Sequence, residues 1–361
     1  MMKIVLAIDS LKGCLSSCEA NQAAAEGVHL ACPHAEIVEI PVSDGGEGFI
    51  EAFHAAIGGE MVEVPVCDPL MRTIKAKYLR KEKTAVIEIA QASGLTLLTP
   101  EERNPMVATS YGTGQLVADA VKCGANHIIV GLGGSATSDA GMGMINALVD
   151  AFSKHGVWDD MEPLRNVRFT IASDVRNPLL GPKGAAHVFA PQKGATQEMV
   201  EQLDEKAKKF AVVSALRFGY DRSEKEGAGA AGGLGYAFLQ YLNAECKPGI
   251  NLLLETIRFE EIVQGADMIF TGEGAADQQT LMGKLPMGIL SHAGDVPVCL
   301  IAGKVADRQI LLEAGFTRVE CINPPGLTLE EAMHKEVARK NIGRTVRELI
   351  KDKMQLGIKK E

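Results

Sequence analysis

The spacing of apolar positions changes twice along the chain. Ile4 to Ile8 is an uninterrupted apolar run closed by Asp9, the pattern of a strand buried on both faces. Ser16 and Glu19 have capping-box spacing and predict a helix to about Ala31. Glu36–Val42 predicts a second strand, and Phe49, Ile50, Phe53, Ala56 and Ile57 recur at helical spacing. An opening of this β-loop-α-β-loop-α kind belongs to a parallel sheet with helices on its faces. The period then falls to two. Val62, Val64 and Val66 alternate with Met61, Glu63 and Pro65, and Ile74, Ala76 and Tyr78 alternate with Lys75 and Lys77. Ala85, Ile87 and Ile89 follow a charged Lys81-Glu82-Lys83 turn. Period-two strands joined by short polar turns predict an antiparallel or mixed sheet.

Farther on, Thr113–Lys122 reads as a helix stopped by Gly124, His127–Val130 as a strand, and a helix starts at about Ala140. Phe169–Ala172 is a strand, Glu198–Leu216 a long amphipathic helix, and Gly227–Gly235 leads into another helix. From Asp267 strand and helix alternate again. The strands are Asp267–Phe270, Val296–Ile301 and Arg318–Cys321, and the helices are Met287–His292, Asp307–Ala314 and about Leu329–Ile350. The fold class is therefore α/β with two domains. A doubly wound, mostly parallel, Rossmann-like sheet is expected from 1–65 and 265–361, and 120–150 can belong to it as well. A mixed-sheet α/β domain, 66–264, is inserted between those ends.

A length of 361 residues, 46% of them hydrophobic, agrees with about two domains. Net charge is −9 and no long basic run occurs, which argues against nucleic acid or an anionic membrane as the main partner. The 8 cysteines form no C-x-x-C pair and no zinc spacing, so they read as buried free thiols in a reducing compartment. No apolar stretch reaches the ~20 residues of a membrane helix, and Asp9 cuts the first run too short for a signal segment. The location expected is cytoplasmic.

The chemistry concentrates in three glycine-rich turns that carry carboxylates: Ser43-Asp44-Gly45-Gly46-Glu47-Gly48, Gly131 to Asp139, and Thr271-Gly272-Glu273-Gly274-Ala275-Ala276-Asp277. Glycine lets backbone N–H groups approach an anion, and carboxylates suit Mg²⁺ shared with phosphate oxygens. Asp9, Asp44, Asp139, Asp174 and Asp277 all fall at or just past an expected strand end, where α/β sheets bind ligands. Any one such aspartate is more often a turn or helix cap. Lys12, Lys193 and Lys284 neighbour Gly13, Gly194 and Gly283 and are candidates for meeting a phosphate or carboxylate. The P-loop pattern and the protein-kinase strings H-R-D and D-F-G are absent. Gly131-x-Gly133-x-x-Ala136 imitates a dinucleotide fingerprint, but Asp150, at the right distance, falls in an expected helix.

Taken in order, Asp9-Ser10-x-Lys12-Gly13, Asp44 to Gly48, Thr109 to Gly114, Gly133 to Asp139, Asp174-Val175-x-Asn177-Pro178-Leu179, Pro191 to Ala195, Gly227 to Gly235, Thr271 to Thr280 and Gly283-Lys284-x-Pro286 resemble the bacterial glycerate kinase family, type 1. The resemblance spans nearly the whole chain. It implies an ATP- and Mg²⁺-dependent kinase of D-glycerate, with 2-phosphoglycerate the usual product and 3-phosphoglycerate the alternative. It also implies an active site in a cleft between two α/β domains. Ala275 departs from the family's arginine, Ser138 and Ala140 replace an asparagine and a glycine, and the segment 153–168 is short.

On this reading Mg²⁺ is held by carboxylates drawn from Asp44, Asp139 and Asp174. Gly133, Gly134, Ser135 and Thr137, with Gly45, Gly46 and Lys193, cradle the nucleotide phosphates. Lys12 and Lys284 neutralise the transferring group or the glycerate carboxylate, Asp44 shares in catalysis, and Asp277 takes the hydroxyl proton. The rival readings are an NAD-linked oxidoreductase of a small hydroxy acid and a non-catalytic binder of a small acid or nucleotide. Self-association is left open.

Overall fold

The computed structural model describes residues 1–43, 45, 46 and 48–358. In chain order the elements are β1 (Lys3–Ile8), α1 (Ser17–Ala31), β2 (Glu36–Glu39), α2 (Phe49–Ile57), β3 (Glu60–Cys67), β4 (Thr73–Lys81), β5 (Thr84–Glu88), α3 (Ala90–Ser93), α4 (Tyr111–Lys122), β6 (His127–Gly131), α5 (Met142–Phe152), β7 (Arg168–Ala172) and α6 (Ala185–Phe189). There follow α7 (Gln197–Phe218), α8 (Ala230–Leu242), β8 (Glu245–Lys247), α9 (Gly249–Ile257), α10 (Phe259–Ile262), β9 (Met268–Ala276), α11 (Leu285–His292), β10 (Val298–Val305), α12 (Arg308–Glu313), β11 (Arg318–Cys321), α13 (Leu329–Ala332) and α14 (Lys335–Ile358).

Two units result, Met1–Ser43 with Ile250–Glu361, and Asp44–Gly249. The terminal unit holds a five-stranded sheet in the order β11-β10-β9-β1-β2, parallel throughout. Chain direction across this sheet reverses between β1 and β9, since β2 extends one way and β10 and β11 the other. The inserted unit holds six strands in the order β3-β4-β5-β6-β7-β8, antiparallel from β3 to β5 and parallel from β5 to β8.

The division differs from the expected boundaries. Residues 45–65 lie in the inserted unit, because β3 pairs with β4 from Glu60 to Cys67 and α2 packs on β4 and β5. Residues 250–264 lie in the terminal unit, where Lys3 Nζ donates to the carbonyls of Ile262 (2.7 Å) and Gln264 (3.1 Å). The stretch 120–150 supplies β6, between β5 and β7, and so belongs to the inserted unit alone.

Each unit has its own apolar core. In the terminal unit Ile4, Leu6, Ile8, Phe270 and Ile301 of the sheet meet Ala20, Ala24 and Val28 of α1 and Ile342 and Val346 of α14. In the inserted unit Tyr78, Ile87, Val130 and Ile171 meet Leu116, Met144, Leu148, Phe238 and Leu242. Helix α1 begins where the capping box places it, with the Ser16 side chain accepting from Glu19 N–H. Helix α5 starts two residues later than expected, because Ala140 and Gly141 take left-handed φ of 53° and 76°. The closing helix is divided into α13 and α14. Strand β9 runs through the third glycine-rich turn to Ala276, pairing with β10 as far as Val305. Of the 8 cysteines, all free, Cys14 and Cys299 are buried, whereas Cys18 and Cys123 are exposed.

Candidate active site

In the inserted unit the carboxyl ends of three parallel strands lie level: Glu88 pairs with Gly131, and Gly131 with Ala172. The first two glycine-rich turns meet there. Gly133 N–H donates to Gly45 O at 2.9 Å, and Leu132 N–H to Ala172 O at 3.1 Å. A Cβ on Gly133 would stand 2.3 Å from Gly46 Cα, so contact of the two backbones requires glycine. Asp44, assigned to metal and catalysis from the sequence, lies outside the described residues.

The turn after β6 is anchored at its edges and open at its centre. Ala136 N–H donates to Ser93 O (2.8 Å), and Gly134 O accepts from Leu95 N–H (2.8 Å). Among the described residues the N–H groups of Gly134 and Ser135 meet no acceptor. Thr137 Oγ1 and Ser138 Oγ are buried and, among the described residues, also have no partner. Beneath them lies Lys193, only 3% exposed, whose Nζ donates to Ser135 Oγ (2.8 Å) and Thr137 O (2.6 Å). Burial lowers the Lys193 ammonium to about 7, with the charge of Asp139 acting the other way. Unsatisfied donors above a buried cation suit a phosphate group.

The glycine-rich start of α8 supports this turn. Ala231, Gly232 and Gly233 take left-handed φ of 53°, 66° and 88°, so the regular helix begins only at Leu234. A Cβ on Gly232 would lie 2.0 Å from Thr137 O, the same oxygen that Lys193 holds. Gly232→Ala is therefore expected to cost about 3 kcal/mol in urea unfolding, through overpacking and the positive φ together.

Asp139 is committed to its own backbone. Its Oδ2 accepts from Ser110 N (2.8 Å), Ser110 Oγ (2.8 Å) and Gly143 N (3.1 Å), and its Oδ1 accepts from Gly141 N (3.0 Å). This one carboxylate joins the starts of α4 and α5. Its oxygens are taken by donors, a poor fit for direct metal ligation. Asp139→Asn turns an acceptor into a donor facing N–H groups, so about 2–4 kcal/mol of stability should be lost in ligand-free urea unfolding. Loss of a mere metal ligand would leave that stability unchanged. Asp174, two residues past β7, is exposed, where a cation can reach it from solvent. Among the described residues no group of three His, Cys, Asp or Glu side chains is placed to hold a metal. Mg²⁺ needs no such cage, because it keeps waters and takes one or two carboxylates plus phosphates.

Glu88 carried no sequence assignment. It is 3% exposed, and its Oε2 accepts from Phe49 N–H (3.2 Å), closing the first turn of α2, whose N-cap Gly48 offers no side chain. A carboxylate at the last position of an otherwise apolar strand is the signal that could have found it.

The terminal unit carries the other candidates. Lys12 is exposed in a tight Leu11–Leu15 turn past β1. Asp277 Oδ1 accepts from Gln279 N–H at 2.7 Å, and the carboxylate forms a capping box with Thr280. Lys284 Nζ lies 3.7 Å from Oε2 of Glu273. Ala275 is exposed and pairs in register with Lys304, which keeps a cation at that position of the sheet. The structure thus gathers Gly45, Gly46, Gly133, Gly134, Ser135, Thr137, Asp139 and Lys193 in one unit and Asp277 and Lys284, with Glu273, in the other.

A parallel sheet with a switch point in one unit, and an open glycine turn over a buried lysine in the other, are features of α/β enzymes that act on phosphate compounds. The dinucleotide alternative lacks its ribose-binding acid, since Asp150 lies inside α5 and accepts the Tyr111 hydroxyl at 2.7 Å. The model of the glycerate kinase family matches residues 4–157 and 156–353. The chain is 41% identical to the glycerate kinase of Bacillus subtilis (strain 168), over 96% of this chain and 97% of that protein. It is 38% identical to the glycerate 2-kinase of Escherichia coli (strain K12), over 92% and 93%. A solved structure from Salmonella typhimurium LT2, assigned as glycerate kinase 2, superposes with a TM-score of 0.83 at 35% identity over 99% of both chains. The chain belongs to the glycerate kinase family. Among the described residues no helix is long and apolar enough to cross a membrane.

Proposed function

We propose that this chain transfers the γ-phosphoryl group of ATP to a hydroxyl of D-glycerate, giving 2-phosphoglycerate. The observation that carries the proposal is the pair of open N–H groups at Gly134 and Ser135 above the buried Lys193, in a chain of this family. That turn is suited to hold phosphate oxygens, with Lys193 fixing its shape and adding a positive charge from below. Mg²⁺, when bound, would offset the negative charge of the nucleotide phosphates. Asp174 is the described carboxylate suited to hold it, with Asp44 as its partner. Lys12 and Lys284 meet the glycerate carboxylate or the transferring group.

Asp277 accepts the glycerate hydroxyl proton as that oxygen bonds to the γ-phosphorus. The bond from that phosphorus to the bridging oxygen breaks, and ADP leaves. The preference for the 2-hydroxyl follows the name of the Escherichia coli relative. A cytoplasmic site of action agrees with 8 free cysteines.

The test is ADP release over a panel of small hydroxy acids, with Mg²⁺ and with a chelator. ADP release that needs both D-glycerate and Mg²⁺ is expected, with NMR of the product placing phosphate on carbon 2. Equal release with every acid, or none with glycerate, contradicts the proposal.

A further inference from the structure

Glu273 stands where the five-stranded sheet reverses direction. The last residue of β1, Ile8, pairs with Gly272 of β9, and Asp9 N–H donates to Gly272 O at 3.0 Å. Glu273 is thus the first residue of β9 beyond the end of β1, with Ala302 of β10 beside it. In doubly wound sheets this crevice is where ligands bind.

The side chain is 8% exposed and meets Lys284, which the proposed reaction uses, and Thr280, whose turn carries Asp277. Its Oε1 accepts from Thr280 Oγ1 at 2.6 Å, and its Oε2 lies 3.7 Å from Lys284 Nζ. Thr280, fully buried, accepts Asp277 N–H on the same hydroxyl at 3.1 Å, and its own N–H donates to Asp277 O at 3.0 Å. One carboxylate therefore fixes the turn that presents Asp277 and attracts the ammonium of Lys284.

Neither placement favours the fold by itself. A buried carboxylate is costly unless paired and hydrogen-bonded. Lys284 occupies the N-cap position of α11, where Ser, Thr, Asp and Asn are preferred and where a cation opposes the helix dipole. The two costs offset one another only while the charges face each other. Burial pushes the Glu273 carboxyl above its ordinary range; the Thr280 hydroxyl and Lys284 work against that, and the charge of Asp277 adds to it.

We propose that Glu273 is a positioning residue of the phosphoryl transfer: it aims the Lys284 ammonium and fixes the Asp277–Thr280 turn without itself touching the transferred group. This rests on the kinase reading above. A carboxylate serving only the fold would need Thr280 and not Lys284, whose side chain is 40% exposed and free to extend into water.

The experiment is a double-mutant cycle in steady-state ADP release with ATP, Mg²⁺ and D-glycerate, using wild type, E273Q, K284M and E273Q/K284M, each with its melting temperature. E273Q keeps an oxygen for Thr280 but puts no charge opposite Lys284. It should lower kcat by about 30-fold or more, as K284M should, and the double variant should be no slower than the worse single by more than about threefold. E273D, which keeps the charge, should recover part of the loss.

The proposal is overturned if folded E273Q retains kcat within about threefold of wild type, or if the two losses multiply. Should E273Q fail to fold, the same cycle run with E273D and K284M decides, since retracting the carboxylate by one methylene must then diminish the effect of K284M. A wild type that releases no ADP with glycerate removes the kinase reading and this inference together. An active wild type with multiplying losses removes this inference alone.

Discussion

Lys193→Met is expected to lower kcat/KM for ATP by about 10²–10³, the usual cost of losing one preorganised charged donor. The substitution matches the length of the side chain and fills the same buried space. It removes the Nζ that donates to Ser135 Oγ and Thr137 O, so the turn loses both its cation and its tie. Stability responds less and depends on pH. An unfolded lysine titrates near 10.4, while burial holds Lys193 at about 7. Below about 7 both states carry the charge, and the cost of burying it is felt in full. Between about 7 and 10.4 the unfolded chain binds more protons at this site, so stability rises with pH across that window. Urea titrations of wild type and K193M should show this rise only in wild type. Polyphosphate beside the turn favours the charged lysine. ATP binding at pH 8 should therefore take up a proton in wild type and not in K193M, read by calorimetry in buffers of different ionisation enthalpy.

Asp277→Asn should lower kcat by about 10²–10⁴, the range for loss of a general base, with KM nearly unchanged. Stability should hold within about 0.5 kcal/mol, because asparagine caps a helical turn as well as aspartate does. Asp277 uses one oxygen to cap Gln279 and Asn can do the same. Asp139→Asn should behave oppositely and lose stability, because all its acceptor capacity lies inside the fold. Kinetics and urea unfolding on these two variants separate a reacting carboxylate from a structural one. Unchanged kcat in D277N would move the proton acceptor to another residue.

Much of this architecture is visible in local spacing. The capping box at Ser16 and the alternation through Val62–Val66 and Ile74–Tyr78 report directly on α1 and the β3–β4 pair. What local pattern misses depends on distant partners. Gly272 to Ala276 looks like a turn in isolation, yet β10 supplies a strand opposite it. Asp139 has the composition of a metal ligand, and only the return of Ser110, 29 residues earlier in the chain, shows its donors taken. Lys193 is marked in the sequence by its glycine neighbour, but its hydrogen-bond partners, Ser135 and Thr137, lie more than 50 residues away. The start of the inserted unit was obscured because α2 keeps the rhythm of the terminal unit while packing on β4 and β5. Glu273 lies within the third glycine-rich motif, but its connection to Lys284 exists only after β9 and α11 are set side by side.

Phosphorus NMR of the wild-type protein with ATP, Mg²⁺ and D-glycerate tests the central claim most directly. The γ-phosphate signal should fall as ADP and one new phosphomonoester signal rise in equal amounts. ATP that persists unchanged, or that yields only inorganic phosphate, would contradict it.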